Sequence, residues 1–511
     1  MQAKTLTWRF GELHLDGFMK KIVYLPLDER PCNIAYTEAV SAGHTAYSIV
    51  APELSEMGQK KTPADFTMIR DFLLRECRDA DQLIIALDTL LYGGIIPSRL
   101  HHLEREELVK RLDVLKLLKE QSPSLYVSAF SLVMRCPCYT DSSEEPDYYA
   151  VCGREIFLYG QNEHKMRLGE ITREEYEREK NRLSACHPYI EDYETRRRVN
   201  IDCLTDALLL VGECIDEFTI LQDDSNARGY TAMDRERVLT LVAKRGIDLD
   251  TYPGADEAGL TLLARAATRI EQRRPRVYAA YPREGAKNVV PIYEDREIHK
   301  TVSAQIKSAG AIECFSEDEA DLVLYCNLND TRTYDVYLNY TKQTDEGYIP
   351  DFVKRIEKTL LSGRGAAVAD VAYCNSGDLT LVYEMEKRFG VMKLWGYAGW
   401  NTASNTLGTV ICQGVLRYFY GDSATHRGFT AHRIMDDAVY MAGVRREMIA
   451  LGYGAGGAMI PERGEASELI VKLINERTRE NIPSVAEKYE AVDCYMPWHR
   501  LFEIGLEIKE K

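Results

Sequence analysis

No stretch of this 511-residue chain is apolar for the roughly 18 consecutive residues that a membrane-spanning helix needs. The N-terminus also lacks an apolar core ahead of a small-residue cleavage site, so neither a secretory signal nor a membrane anchor is expected. The 13 cysteines contain no Cys-x-x-Cys, and Cys136 and Cys138 form the only close pair. Such an odd, scattered set reads as reduced, mostly buried thiols in a cytoplasmic protein. The ten histidines form no His-Glu-x-x-His or His-x-His spacing, which removes the common zinc signatures. Positive charge is scarce as well: 64 Lys and Arg face 80 Asp and Glu, a formal charge of −16, with basic residues dispersed among acidic ones. No nucleic-acid partner and no anionic membrane is expected. With 45% hydrophobic and 28% charged residues the chain is an ordinary globular one, too long for a single core.

What the sequence does hold is a series of acidic or amide-rich clusters, each directly after a short apolar run. They are LPLDERPCN (Leu25 to Asn33), IIALDTLLYGG (Ile84 to Gly94), FTILQDDSNARG (Phe218 to Gly229), TYPGADEAG (Thr251 to Gly259), AAVADVAYCNSGD (Ala366 to Asp378) and LWGYAGWNTASNTLG (Leu394 to Gly408). In parallel α/β sheets the carboxyl ends of the strands form the ligand face, so polar residues gathered there point to a small-molecule site.

The apolar runs predict strands at 22–27, 46–51, 82–87, 125–134, 217–221, 276–280 and 289–293, and a weaker one at 247–252. Helical patterns separate them, as in Glu104 to Glu120, where Leu108, Leu112, Leu115 and Leu118 recur at helical spacing. This alternation predicts an α/β fold, TIM-barrel-like or doubly wound, with a parallel sheet in its N-terminal part. Residues 1–18 read as an extension ahead of Met19, and 19–285 as the first domain. A long insertion, 137–216, is a charged helical excursion or a lid bringing Arg135, Tyr148 or Arg154 to a substrate. A second, smaller α/β domain is expected over 286–424, with strands at 320–325, 366–371 and 391–397, and a helical and loop segment over 425–511.

Asp28, Glu29 and Arg30 precede Pro31, which stiffens the turn and can hold an acid and a guanidinium at the mouth of a sheet. A purely structural ion pair explains them equally well. Asp88 ends a strand, and Arg99 offers a fork for an anion. Asp223 and Asp224 close another strand and lead into Asn226 and Arg228. Because strand side chains alternate, one of the two aspartates is expected to point inward, paired across neighbouring loops with Asp256 or Glu257. Two such carboxylates, one protonated and one ionised, suit glycoside hydrolysis. The same oxygens would suit Mg²⁺ or Mn²⁺. Glu257 is otherwise a first-turn acid complementing its helix dipole. Asp370, Asn375, Asn401, Thr402 and Asn405 are candidates for binding a polyol, and Trp400 for stacking on a sugar face, though capping accounts for Asn401 and Thr402 nearly as well.

Together LPLDERPCN, LDTLLYGGIIPSR, QDDSNARG, PGADE, YEDR (Tyr293 to Arg296), ADVAYCNSGD and GYAGWNTASNTLG resemble a bacterial family, domain of unknown function 4127, from Met19 to about Arg433. That resemblance implies a bacterial, cytosolic protein and carries no reaction. The paired acids after strands are also loosely similar to the sites of N-acetylhexosaminidases on TIM barrels. The leading expectation is a hydrolase for a carbohydrate or related polyol, needing no cofactor, with acid and base from Asp223, Asp224, Asp256 and Glu257. A metal-dependent hydrolase or lyase and a non-catalytic sugar-binding protein are the alternatives.

Overall fold

The computed structural model describes residues 19–335 and 347–511; the 1–18 extension lies outside the described residues. Six strands build the first sheet: β1 (Lys20–Leu25), β2 (Tyr47–Val50), β3 (Gln82–Ala86), β4 (Tyr126–Val133), β5 (Glu217–Gln222) and β6 (Asp250–Pro253). All pair in parallel, in the order β2-β1-β3-β4-β5-β6. Seven short strands follow: β7 (Arg276–Ala280), β8 (Ile312–Glu313), β9 (Leu322–Asn327), β10 (Tyr334–Asp335), β11 (Gly365–Asp370), β12 (Tyr373–Cys374) and β13 (Gly396–Ala398). Five of them form a second parallel sheet, β13-β11-β9-β7-β8, while β10 and β12 make a two-stranded ribbon. In each sheet the first strand lies between the second and the third, so the chain reverses its direction of winding there. Ligands of parallel sheets bind outside the carboxyl ends at such a point.

Both sheets are buried on both faces, which is why their strands read as near-continuous apolar runs. On one face of the first sheet Val23, Leu25, Leu83, Ile85 and Val127 pack against helices 66–76, 105–121 and 187–208. The other face (Ile22, Tyr24, Ile84, Phe130) packs on helices 258–270 and 298–308, and helix 403–420 packs on both of these. Val277, Leu322, Leu324, Ala367 and Ala398 of the second sheet belong to the same continuous core and pack against helices 298–308 and 403–420. The two sheets therefore share one continuous core, with helices packed on one another between them. The outer face of the second sheet (Val323, Tyr325, Val368, Tyr397) packs on helices 349–361 and 379–389 and on the C-terminal part.

Several sequence expectations change. The strand expected at 289–293 is a turn beside a 3-10 helix, Glu284–Asn288. The run at 276–280 is a strand, but it pairs in the second sheet rather than the first. The run at 391–397 divides into a 3-10 turn and the three-residue β13. The C-terminal segment is helical only in part: it contains a π-helical stretch, Ile434–Val444, and ends in an antiparallel hairpin of β14 (Tyr489–Tyr495) and β15 (Gly505–Glu510). Cys152 and Cys186 are disulfide-bonded within the insertion, against the expectation of reduced thiols throughout; ten of the other eleven cysteines are buried and free. No described helix is long and apolar enough to cross a membrane.

Candidate active site at the strand ends of the first sheet

After β1 the chain turns at Pro26 to Pro31. Asp28 closes that turn on itself, its Oδ1 accepting the Arg30 backbone N–H at 3.0 Å. Its other oxygen accepts Arg30 Nε at 2.8 Å. The far edge of the same guanidinium reaches Asp256, after β6, at 2.5 Å. Asn33 donates to both carboxylates, at 2.7 and 3.2 Å. Asn401, from the second sheet, donates to Asp256 at 3.0 Å, and Asn405 accepts the Asp256 backbone N–H at 3.0 Å. Asp256 is thus tied to three elements at once. Burial pushes its carboxyl up to about 6 against the pull of Arg30.

Glu257 points the other way. It is fully buried, accepts the Ala255 N–H and the Gln305 amide at 2.9 Å each, and burial raises it to about 7. Gly254 has φ +142°, and a Cβ there would lie 2.0 Å from Glu257 Oε1; at Gly408 a Cβ would lie 2.4 Å from Glu257 Cγ. Both glycines are needed to let this side chain sit between helices 258–270 and 403–420. Glu257 is accordingly a framework residue, and it does not face Asp223 or Asp224 across a gap as expected.

Asp223 and Asp224 lie beside a second lattice. Arg99 donates to Asp223 at 2.7 Å and Arg135 to Asp224 at 3.0 Å. Both guanidiniums also hold Glu144 and Glu145 from the insertion, at 2.8 to 3.3 Å. The alternation that would turn one aspartate away holds only while the strand persists, and it does not reach this pair. β5 ends at Gln222, and Asp224 takes a left-handed φ of +39°, which breaks the alternation and turns both carboxylates to the same arginine pair. Burial, followed by repulsion from Asp223, raises Asp224 to about 6. Against burial, which would push it up, Arg500, Arg135 and Arg99 hold Glu144 well below the usual carboxylate range.

The remaining candidates divide. Asp88 is buried between β3 and β4, accepting Ser131 and the Leu132 N–H at 3.0 Å each, and burial raises it to about 6. Glu29 turns from Arg30 to Trp498 and the Lys60 N–H, both at 2.7 Å. Asn226 is exposed and caps the Arg228 N–H, while Arg228 pairs with Glu170 on the surface; neither joins the lattices. Asp370, at the end of β11, accepts Asn327, Tyr397 and the Asp378 N–H at 2.6 to 2.9 Å, and burial, then Asp378, raises it to about 7. Trp400 is buried, donates to Thr409 and meets Tyr36 edge-on at 5.7 Å, so it is a core residue and no open stacking platform. Thr402 only receives the Asn405 amide, at 3.1 Å. Asn375 and Asn401 share left-handed backbones, φ +64° and +54°, and a hydrogen bond of 2.8 Å.

Sequence reasoning missed the cover. The tip of the terminal hairpin brings Trp498, Arg500 and Glu503 onto these lattices. Trp498 stacks between Arg30 and Arg500, 4.7 and 4.6 Å from its ring centre. Arg500 pairs with Glu144 and donates to Glu503 at 2.9 Å, and Glu503 lies 3.8 Å from Arg30. Trp498 and His499 are consecutive left-handed residues, φ +57° and +59°. Acidic Glu144-Glu145 and the Trp-His-Arg run were visible as residues, but no spacing tied the first to Arg99 and Arg135 or the second to Glu29 and Glu144, hundreds of positions before it. Among the described residues no three His, Cys, Asp or Glu side chains are arranged to hold a metal ion.

These features define an α/β protein of two parallel sheets sharing one core, with a buried arginine and carboxylate lattice at the strand ends. The chain belongs to the family described as Protein of unknown function (DUF4127), whose model matches residues 22–507. No curated protein and no solved structure matches it.

Proposed function

We propose a hydrolase acting on a carbohydrate or related polyol, built on two doubly wound sheets, with Asp224 as proton carrier and Asp223 as its partner. The observation that carries this reading is their asymmetry. Burial and repulsion from Asp223 raise Asp224 to about 6 although Arg135 donates to it at 3.0 Å, while Asp223 accepts a shorter 2.7 Å charge-assisted bond from Arg99. A carboxyl of that kind gives its proton to a leaving oxygen near neutral pH and takes one back from water. Hydrolysis of a glycosidic bond asks for such a protonated carboxyl beside an ionised one. Asp28, Arg30, Asp256 and Asn401 fix the walls, and the hairpin tip around Trp498 must shift to admit substrate.

The alternatives have less support. For a Mg²⁺ or Mn²⁺ enzyme, Asp28, Asp223, Asp224 and Asp256 would have to leave guanidinium partners already in place. A binding protein that closes two domains on a ligand needs a hinge, and the shared core is poorly suited to one. The ten buried free thiols favour a cytoplasmic setting. The test is release of aryl groups from a panel of glycosides, N-acetylhexosaminides included, with EDTA or Mn²⁺. Release that survives EDTA and is lost in a folded Asp224→Asn variant supports the proposal. Release only with Mn²⁺ transfers the reading to the metal enzyme, and none under any condition refutes both.

A further inference from the structure

Behind the acid lattice, on the side of the insertion, lies an open cleft of about 510 Å³, within the size of small-molecule sites. Its position follows from the sequence of its walls. Leu100 lines the cleft and is the neighbour of Arg99, on the one-turn helix Pro97–Leu100. Pro146 lines the opposite side and follows Glu144 and Glu145 directly. Two lining residues are thus chain neighbours of the lattice: Leu100 of Arg99, which holds Asp223, and Pro146 of Glu145, which pairs with Arg99 and Arg135.

Its chemistry is specific. Tyr148 and Tyr189 stack with ring centres 5.0 Å apart and planes 20° from parallel, and Tyr189 remains 41% exposed. Arg196, buried beneath them, binds Asp192 at 2.9 Å and reaches the Tyr148 hydroxyl at 3.3 Å, so the pair is fixed from below. Lys61 and Asp147 pair at 3.2 Å at the rim. Lys61 and Arg196 thus face Asp147 and Asp192 in the lining, with His102 3.9 Å from Asp192, so cations and carboxylates are matched there. An open aromatic face among balanced donors and acceptors fits a neutral ring with an apolar face and hydroxyls around its edge, which is a pyranose.

We propose that this cleft is an outer sugar subsite, so that the substrate is an oligosaccharide with one unit stacked on Tyr189 and the scissile bond at Asp224. The proposal rests on the carbohydrate reading above. Stacking holds the distal ring, Lys61 and Asp147 bond its hydroxyls, and the chain passes between Leu100 and Pro146 toward Asp223 and Asp224.

Saturation-transfer NMR of the full-length protein with maltotetraose, cellotetraose and chitotetraose tests it. Binding of at least one tetrasaccharide is expected, weakened roughly tenfold in Tyr189→Ala and retained in Tyr189→Phe. Lys61→Ala, at a half-exposed position, gives a second reading should Tyr189→Ala fail to fold. Asp224→Asn should bind as well as the wild type whatever it does to turnover, which separates this proposal from the assignment of the acid. Undiminished binding in both Tyr189→Ala and Lys61→Ala, or no binding of any of the three sugars, would overturn it.

Discussion

Arg30 is the sharpest place to test the electrostatic frame. It is 5% exposed and is the guanidinium bonded to both Asp28 and Asp256, themselves 3% and 5% exposed. Arg30→Met keeps the length and apolar stem but leaves two buried carboxylates with only amide partners. Removing one member of a buried pair typically costs about 3–5 kcal/mol, because the partner's charge stays buried and uncompensated. At about 2.1 cal/mol/K of unfolding entropy per residue, 511 residues give about 1.1 kcal/mol per degree, so the apparent Tm should fall by about 3–5 °C. Adding Asp256→Asn removes one stranded charge, and the double variant should lose clearly less than the two single losses together. The deficit should also depend on pH. Without Arg30, burial drives Asp256 further up, so at pH 5 it protonates and the variant approaches the wild type, whereas at pH 8 the whole penalty remains. Calorimetry of the four proteins at both pH values measures this. A loss of less than about 1 °C at pH 8, or a larger loss at pH 5 than at pH 8, would refute the argument.

The wild type itself should respond to pH. Burial raises Asp88, Asp224 and Asp256 to about 6 and Glu257 and Asp370 to about 7. Each binds its proton more tightly folded than unfolded, so its contribution is complete below the ordinary carboxylate range and is lost as pH climbs through 6 and 7. Glu144 runs oppositely, losing its contribution only in stronger acid. The apparent Tm should therefore decline between pH 5.5 and 8, and a rise across that interval contradicts the assignment. Trp498→Ala removes a buried core ring packed against Arg30 and Arg500 and the donor to Glu29, a loss of about 3–5 kcal/mol. Amide exchange in residues 26–33 and 497–503 should accelerate and the apparent Tm should fall by about 3–5 °C; unchanged protection would mean that the hairpin tip is no cover.

Much of this architecture can be read along the chain. The apolar runs ending in LPLD, IIAL, FTILQ and AAVAD became β1, β3, β5 and β11, because strands covered on both faces must be apolar throughout. Placing polar clusters at their carboxyl ends likewise brought Asp28, Arg30, Arg99, Asp223, Asp224, Asp256 and Asn401 close to one another. Periodicity said nothing about which sheet a strand joins. The run at 276–280 has the same pattern as its predecessors, yet it pairs with β8 and β9, a choice made by long-range packing. Partner choice among charges was equally hidden: Glu257 reads like Asp256 but packs inward beside Gly254 and Gly408.

The sequence by itself determined the parallel α/β class, the strand ends as the polar face and the family of the chain, since these rest on local patterns and ordered motifs. Only the tertiary structure decided that both sheets share one core, that Arg30 binds Asp256 across 226 positions, and that Trp498 covers them from the terminal hairpin. Contacts of that separation depend on how each buried charge finds its one compensating partner, and no local propensity encodes that choice.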